Sequence, residues 1–386
     1  MTTLLGDNII SALGFTTEEN FLSAKQGLSG LTYFTDYLGL PEPFVAAAID
    51  EERLDEKYQQ LSGSGSASPK YTKLEKAAIV SISEALQSVQ IDPADDRVLF
   101  ILSSTKGNVF LLDANERDKY EPEQLYLWRS ADLIARYFNN TNTPWVISNA
   151  CISGAAALIS AQRALKSGQY DHIIVVGVDL LSKFIVSGFQ SFKALSQEKC
   201  KPFDVNRNGL NIGETAATII LSEKSEEDLL PGEVVLTAGA VRNDANHISG
   251  PSRTGEGAYL ALKSILKEVD IKEIAFVNAH GTATPYNDEM EAIAITRASL
   301  NNTPVNSLKG YFGHTLGAAG VLESIISTHA LREGIALKTY GFDTLGVSNP
   351  LPVVTELQEI QGSHCINMLS GFGGCNAALL YTLVKR

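Results

Sequence analysis

One cysteine in the sequence stands where side chains often react. Cys151 follows the apolar segment WVIS and precedes a run of Gly, Ala and Ser that is typical of a helix. Backbone N–H groups at the start of a helix favour a thiolate and lower the pKa of a cysteine there. The alternative is a buried and inert cysteine, which is the commoner state of a cysteine in a reduced compartment. Taken alone, the segment favours the inert cysteine.

Two histidines change this balance. His280 follows the apolar segment IAFVNA and enters a loop rich in Gly, Thr and Pro, and His314 lies directly before a second Gly-Ala helix in GYFGHTLGAAG. Functional side chains of α/β proteins concentrate at the ends of strands and helices. A cysteine with two imidazoles nearby predicts a nucleophile together with donors that stabilise developing negative charge.

The segments that carry Cys151 and His314 form an internal repeat. TPWVISNACISGAAALISAQRAL starts at Thr143, and TPVNSLKGYFGHTLGAAGVLESIISTHAL starts at Thr303. Each has Thr-Pro, a short strand, a loop with a reactive side chain, and a helix ending in Ala-Leu. Each is preceded by a strand and followed by another. This order predicts duplication of a strand–helix unit, which would place the His314 loop opposite the Cys151 loop.

The repeat and the alternation of apolar strands with helices predict an α/β fold with mixed sheets covered on both faces. We expect a duplicated, layered αβαβα arrangement in which two mixed sheets surround central buried helices. A chain of 386 residues exceeds one small core, so we expect two halves, 1–225 with the cysteine and 226–386 with the histidines. The first segment, TTLLGD, lacks a Val/Ile-rich start and predicts a short edge strand. The Ser/Gly-rich residues 61–70 predict a loop.

Composition excludes several classes of protein. Acidic residues outnumber basic ones, 44 to 31, and no Lys/Arg stripe stands out, so we expect neither nucleic-acid nor membrane binding. The cysteines lack zinc-ligand spacing and are too few for a disulfide scaffold. We expect a cytoplasmic protein with no metal, in which Cys200 and Cys365 only pack. The segment MTTLLGDNIISALG has no basic n-region, and no apolar run approaches membrane-spanning length.

These residues carry a resemblance to a known family. The chain resembles a β-ketoacyl synthase of the decarboxylating, thiolase-related condensing enzymes, from about Gly14 to its end. The similar segments are SNACISGAAALISA, KPFDVNRNGLNIGE, NDANHISGPSRTGEG, VNAHGTATPYNDEMEA, NSLKGYFGHTLGAAGVLESI and SGFGGCNAALL, in the family's order. The resemblance implies a stand-alone acyltransferase that performs decarboxylative Claisen condensation in fatty-acid or polyketide (polyene-type) biosynthesis.

The resemblance also implies a role for each matched residue. Cys151 takes the acyl group, and His280 and His314 hydrogen-bond to the thioester oxygen of a malonyl unit as carbon dioxide leaves. Lys309 matches the family's buried lysine and pairs with Glu323. The N–H groups of Cys151 and Phe372 match the family's oxyanion hole, and the Phe372 side chain matches the gate to the acyl pocket. Thr282 and Thr284 match positions that hold the pantetheine arm. His247 lies in a motif near the mouth of the active site.

The implied substrates are attached to the phosphopantetheine of an acyl carrier protein, so no free cofactor is expected. Carrier proteins of this family are usually acidic, and the candidate docking residues are Lys193, Lys201, Arg207 and Arg253. A homodimer, or a heterodimer with a related subunit, is expected.

Two alternatives stay open. A chain-length-factor-like subunit would shape the cavity of an active partner, but such subunits typically lose the cysteine. A thiolase acting on coenzyme A esters would use a second cysteine, for which Cys375 after GFGG is the candidate. The chain also departs from the family at GETAA, where Thr215 replaces a glycine, and at Ser370, which replaces a phenylalanine near the gate.

Overall fold

The computed structural model describes residues 1–62, 70–247 and 250–385. The strands within these residues are β1 (Thr2–Ser11), β2 (Thr32–Phe34), β3 (Phe44–Ala47), β4 (Val98–Ser103), β5 (Trp145–Ile147), β6 (His172–Asp179), β7 (Ile212–Gly213), β8 (Thr215–Glu223), β9 (Val234–Asn243), β10 (Ile274–Asn278), β11 (Val305–Asn306), β12 (Ile335–Ala336), β13 (Gln358–Glu359), β14 (His364–Gly371) and β15 (Cys375–Leu383). The α-helices are α1 (Thr17–Lys25), α2 (Glu51–Ser62), α3 (Lys73–Leu86), α4 (Ala114–Arg117), α5 (Leu127–Tyr137), α6 (Ser153–Lys166), α7 (Lys183–Ser191), α8 (Glu256–Ile265), α9 (Pro285–Arg297), α10 (Lys309–Phe312) and α11 (Ala319–Glu333).

The main sheet consists of two five-stranded parts with the same strand order. The first part is β5-β4-β6-β8-β1 and the second is β11-β10-β14-β15-β9. In each part the first three strands run parallel, and the last two pair antiparallel. The parts meet where β1 and β9 pair antiparallel through Thr2 with Leu236 and Thr3 with Val235. The predicted duplicated fold with mixed sheets is confirmed, and this short pairing joins its two sheets edge to edge.

Helices cover both faces of each part. The α6 and α11 helices contact strands of both parts, so they form the central layer, while α3 packs on β1, β8 and β6, and α8 packs on β9 and β15. The central helices approach closely because small residues face each other. A side-chain carbon added to Gly320 would lie 2.3 Å from the Ala155 nitrogen, and one on Gly154 would lie 2.9 Å from the Val321 nitrogen. The predicted αβαβα layering is confirmed.

One local prediction is wrong, and a second is tested only at its start. The first strand is not a short edge strand, because β1 has ten residues and lies inside the main sheet. Its buried residues continue past TTLLGD to Ile9 and Ile10, and Gly6 lets α3 approach, since a side chain there would lie 2.9 Å from the Ala85 oxygen. The predicted loop at 61–70 is helical through Ser62, and residues 63–69 of it lie outside the described residues.

The division at residue 225 stays a prediction. Over the described parts of the chain, no helix combines the length and apolar character needed to cross a membrane.

A partly buried pair of Asp7 and His329 connects the central strand to the central helix. Asp7 on β1 lies 3.0 Å from the Nε2 of His329 on α11, and the hydroxyl of Thr17 donates to Asp7 at 2.8 Å. Burial opposes the charged carboxylate, but the hydrogen bond and charge of His329 outweigh it and hold the pKa of Asp7 below its ordinary value. A carboxyl group with a lowered pKa stabilises the folded state above its unfolded pKa, and this contribution is lost as the pH falls.

We therefore expect Asp7→Asn to lower the free energy of unfolding by about 2 kcal/mol at neutral pH. The difference from the unchanged protein should shrink below about pH 4, where the unfolded carboxyl group is also protonated. Urea denaturation followed by circular dichroism across this pH range measures both quantities.

Glu116→Gln is the matched control, because Glu116 pairs with Lys119 at the surface. Its cost should stay below about 1 kcal/mol. A cost for Asp7→Asn no larger than that of the control would contradict the role of this ion pair.

Candidate active site

Cys151 lies in a sharp turn between β5 and α6. Ala150 before it has a positive φ of 44°, a conformation that is rare for residues other than glycine. The Ser153 hydroxyl holds the turn, since it donates to the Ala150 carbonyl at 2.6 Å and accepts from the Asn149 N–H at 2.8 Å. Cys151 is only 8% exposed. The turn therefore presents the sulfur to an enclosed space.

His280 and His314 converge on this sulfur from the other half of the chain. One ring nitrogen of each histidine and the Cys151 sulfur all lie within 4.8 Å of one another. The two imidazole rings are 4.9 Å apart between centroids and nearly perpendicular, at 88°. These donor atoms are close enough to share one ion, and the expectation that the site works without a metal stays a prediction. The structure thus brings together the three side chains that the sequence singled out.

Backbone contacts fix both histidines. His280 follows β10, and its N–H donates to Glu291 at 2.7 Å, as does the N–H of Gly281. The His314 N–H donates to the Asn211 carbonyl at 2.6 Å, and the His314 carbonyl accepts from the Gly213 N–H at 3.0 Å. These hydrogen bonds fix the backbone from which each imidazole projects.

A buried ion pair stands behind the histidines. The Lys309 side chain is 1% exposed and pairs with Glu323, which is also buried and accepts from Asn278 at 3.3 Å. The Lys309 ammonium also lies 3.5 Å from the Nδ1 of His280. An ammonium has no acceptor to offer, so Nδ1 of His280 is the acceptor and the ring proton is on Nε2. His280 can then donate a hydrogen bond from Nε2.

Burial dominates the electrostatics of the site. It raises the pKa of the Cys151 thiol to about 11, although the Lys309 charge and the N–H of Phe372 lower it. The predicted lowering by the helix start is therefore outweighed, because the buried thiolate loses its hydration. Burial and the Lys309 charge hold the pKa of both His280 and His314 well below the ordinary value, and His314 further lowers that of His280. The resting site holds a thiol and two neutral imidazoles.

A cavity of about 430 Å³ leads from the surface to Cys151 and both histidines. Thr282 and Thr284 line it, with their hydroxyls 2.9 Å apart. Phe372 lines it as well, is 39% exposed, and stacks on Phe189 at 5.8 Å.

Phe372 belongs to the segment that packs against the nucleophile. A side chain at Gly371 would lie 3.1 Å from the Cys151 nitrogen, so this backbone approaches Cys151 more closely than most residues allow. The Phe372 ring therefore stands at the cavity while its N–H reaches the sulfur.

The other predicted residues differ in whether they reach the cavity. His247 is exposed after β9, its Nδ1 accepts from the Gly250 N–H at 3.1 Å, and it is not among the described residues that line the cavity. Lys193 lines the cavity, and Arg253 is exposed. Arg207 is unsuited to docking a partner, because its guanidinium donates to the carbonyls of Asp204 and Gly346 and is largely buried.

The remaining cysteines and the unusual residues have local partners. Cys375 donates to Asn149 at 3.2 Å and is not part of the Cys151 cluster within the described residues, so it does not supply the second cysteine of a thiolase site. Thr215 lies in the β1–β8 pair and donates to the Ile10 carbonyl at 2.7 Å. Ser370 lines the cavity and donates to Asn376 at 2.8 Å, and its effect on the predicted Phe372 gate stays a prediction.

Two buried acidic residues of the site escaped the sequence reasoning. Glu291 anchors the His280 loop, and burial raises its pKa to about 8. Asp179 ends β6 and accepts from the Gly317 N–H at 2.7 Å in the loop after His314. The available signals were the acidic residue that ends the apolar segment IIVVGVD and the acidic residues of NDEMEA, which follow the His280 loop.

The comparisons with known proteins identify the family. The N-terminal domain of the β-ketoacyl synthases matches residues 18–227, and the C-terminal domain matches residues 234–343. The chain belongs to the β-ketoacyl synthase family, and it is a condensing enzyme of the acyltransferase class. The predicted family and enzyme class are confirmed, while the polyene-type pathway stays a prediction.

Individual relatives agree with this assignment. A putative mitochondrial 3-oxoacyl-[acyl-carrier-protein] synthase of Schizosaccharomyces pombe is 28% identical and covers 95% of this chain and 94% of its own. The mitochondrial 3-oxoacyl-[acyl-carrier-protein] synthase of Arabidopsis thaliana is 34% identical over 61% of this chain and 55% of its own. A ketosynthase in complex with its chain length factor from Xenorhabdus doucetiae is similar in structure, with a TM-score of 0.84, 25% identity, and coverage of 99% and 98%.

We expect Cys151 to react with iodoacetamide as a thiol of high pKa. Only the thiolate reacts, so the rate should rise about tenfold per pH unit from about pH 7 to pH 9 without a plateau. Peptide mapping by mass spectrometry separates Cys151 from the partly buried Cys375, and Cys151→Ser gives the background. A plateau below about pH 8 would contradict the raised pKa.

Proposed function

We propose that this chain condenses an acyl group held on Cys151 with a malonyl unit delivered on a carrier thioester. The observation that carries the proposal is the convergence of Cys151, His280 and His314 in one cavity. One residue of this set is a nucleophile, and the other two are neutral hydrogen-bond donors. This combination suits acyl transfer that passes through an intermediate of negative charge.

In the first step, the Cys151 sulfur attacks the carbonyl of an acyl-carrier thioester. The new carbon–sulfur bond forms as the bond to the pantetheine sulfur breaks, and the thiol proton of Cys151 ends on the departing pantetheine thiol. The tetrahedral oxyanion lies between the N–H groups of Cys151 and Phe372. The close packing of Gly371 against the Cys151 backbone supports this arrangement.

In the second step, the malonyl thioester loses carbon dioxide. The electron pair of the breaking carbon–carbon bond moves to the thioester, whose oxygen becomes an enolate oxygen. The Nε2–H of His280 and a ring N–H of His314 donate to that oxygen. Donors aimed at charge that exists only during the reaction lower its barrier. Lys309 supports the step, because it keeps the His280 proton on Nε2.

In the third step, the enolate carbon attacks the acyl group on Cys151. The carbon–carbon bond forms, the Cys151 thiolate leaves and takes a proton from solvent, and a 3-ketoacyl thioester two carbons longer remains on the carrier. Thr282 and Thr284 would hold the pantetheine arm in the cavity. Fatty-acid and polyketide assembly both use this product.

The alternatives explain the site less well. A chain-length-factor-like subunit needs no nucleophile, whereas Cys151 is enclosed with two histidines. A thiolase needs a second cysteine at the reacting centre, and Cys375 instead contacts Asn149.

Two kinds of partner follow from the proposal. An acyl carrier protein would dock at the cavity mouth. Lys193 lines the cavity, and the exposed Arg253 lies two residues after Pro251, which also lines it. A second copy or a related subunit would pair along β5, which ends the main sheet and has β4 as its neighbour among the described strands. Exposed aromatic rings on and beside this edge, Trp145 and Trp128, support such an interface.

We expect His280→Ala and His314→Ala each to slow carbon dioxide release from malonyl carrier by about 100-fold. Cys151→Ala should abolish condensation but leave carbon dioxide release at the same order of magnitude, because the donors remain. Radiolabelled malonyl carrier measures release, and product analysis measures condensation.

His172→Ala is the matched control, since this histidine starts β6 and does not line the cavity within the described chain. It should leave both rates near those of the unchanged protein. Equal release from all the histidine variants would contradict the assigned roles.

We expect Arg253→Glu to raise the KM for malonyl carrier about threefold to tenfold with little change in kcat, because the charge acts on encounter with an acidic partner. The difference should shrink at high salt. Lys119→Glu, whose lysine pairs with Glu116, serves as the control. An unchanged KM would contradict a role of Arg253 in docking the carrier.

A further inference from the structure

Asp179 is a buried carboxylate that the proposed steps leave without a role. It ends β6, is 1% exposed, and receives only hydrogen-bond donors. These donors are the Ser104 hydroxyl at 2.8 Å, the Thr105 N–H at 2.9 Å and hydroxyl at 3.0 Å, the Lys106 N–H at 3.4 Å and the Gly317 N–H at 2.7 Å. A carboxylate surrounded in this way is best satisfied when it is ionised.

The donors come from both halves of the duplicated fold. Ser104, Thr105 and Lys106 follow β4 in the first half, whereas Gly317 lies between His314 and α11 in the second. The Gly317 backbone sits directly on the carboxylate, since a side chain there would lie 2.9 Å from the Asp179 oxygen. Leu316 beside it has a positive φ of 51°, so the loop needs an external anchor to keep this conformation.

We propose that Asp179 is a positioning residue that fixes the His314 loop against Cys151, and that its negative charge counters the positive charge of Lys309 at the sulfur. The proposal rests on the proposed function for its effect on catalysis. The geometric observation behind it is that one carboxylate holds the loop after β4 and the loop after His314 together.

The charges around the Cys151 sulfur predict the direction in which its pKa should change. Lys309 and Lys106 lower the pKa of Cys151, Asp179 raises it, and the two histidines beside it are neutral. Burial raises the pKa of Asp179 itself, and its hydrogen-bond donors oppose this rise. Removing the Asp179 charge should therefore favour the Cys151 thiolate.

Asp179→Asn should consequently change two rates in opposite directions. The amide loses the charge, so the pH profile of iodoacetamide alkylation at Cys151 should shift down by about one pH unit, which gives faster labelling at pH 8. The amide NH₂ group cannot accept the hydrogen bonds that the carboxylate oxygen accepted. The variant should therefore hold the His314 loop less firmly. Carbon dioxide release from malonyl carrier should fall about tenfold or more. Loosening of the site would also shift the profile downward, because water would reach the Cys151 sulfur. A variant that loosens the same loop but keeps the Asp179 charge is therefore needed to separate the two causes.

Two further variants separate charge from anchoring. Thr105→Val removes one hydroxyl donor and keeps the Asp179 charge, so it should slow release moderately without moving the alkylation profile. It also keeps the proposal testable if Asp179→Asn does not fold. Asp204→Asn is the matched control, because Asp204 is equally buried and accepts N–H groups of Asn206, Asp343 and Thr344 at 2.8 Å each. It should change neither measurement.

Alkylation needs no condensing activity, so its outcome is independent of the proposed function. An alkylation profile that Asp179→Asn leaves in place, or that Thr105→Val shifts equally, would overturn the proposed charge effect. Unchanged carbon dioxide release by Asp179→Asn, in a protein whose His314→Ala variant is impaired, would overturn the positioning role. If His314→Ala is itself unimpaired, the proposed function fails first, and the alkylation result still decides the charge effect.

Discussion

The burial of the Lys309 ammonium beside two imidazoles is the constraint on which the site depends. A buried ammonium needs a counterion, which Glu323 supplies, and Glu323 in turn accepts from Asn278 at the end of β10. Burial raises the pKa of Glu323, and the Lys309 charge opposes this rise. The same positive charge disfavours protonation of His280 and His314. Burial and this one charge together keep both histidines neutral, so each ring retains one N–H that can donate to an oxyanion and one nitrogen that can accept.

The duplicated fold brings this arrangement to the nucleophile. The α6 and α11 helices follow the Cys151 and His314 loops, and the Gly154–Gly320 contact lets their first turns touch. A larger residue at either glycine would push one loop away from the other. The small residues after Cys151 and His314 therefore pack the central layer, and this packing sets the distance between sulfur and imidazole.

The residues of the site could be predicted from the sequence, whereas their pKa values could not. Cys151, His280 and His314 stand in motifs at element ends, and the order of elements in the repeat indicated that their loops would meet. The raised pKa of Cys151 could not be foreseen, because burial depends on residues from distant elements. The length of β1 was misjudged for a similar reason: its central place is set by pairing with β8, which is distant in sequence. The carboxylate of Asp179 was missed because its donors come from two separate loops.

The most direct test of the account is intact-protein mass spectrometry after incubation with a panel of acyl carrier thioesters. We expect one acyl adduct, located on Cys151 by peptide mapping. It should disappear when malonyl carrier is added, as a 3-ketoacyl carrier two carbons longer forms. An adduct on another residue, or an acyl-Cys151 that malonyl carrier does not discharge, would contradict the account.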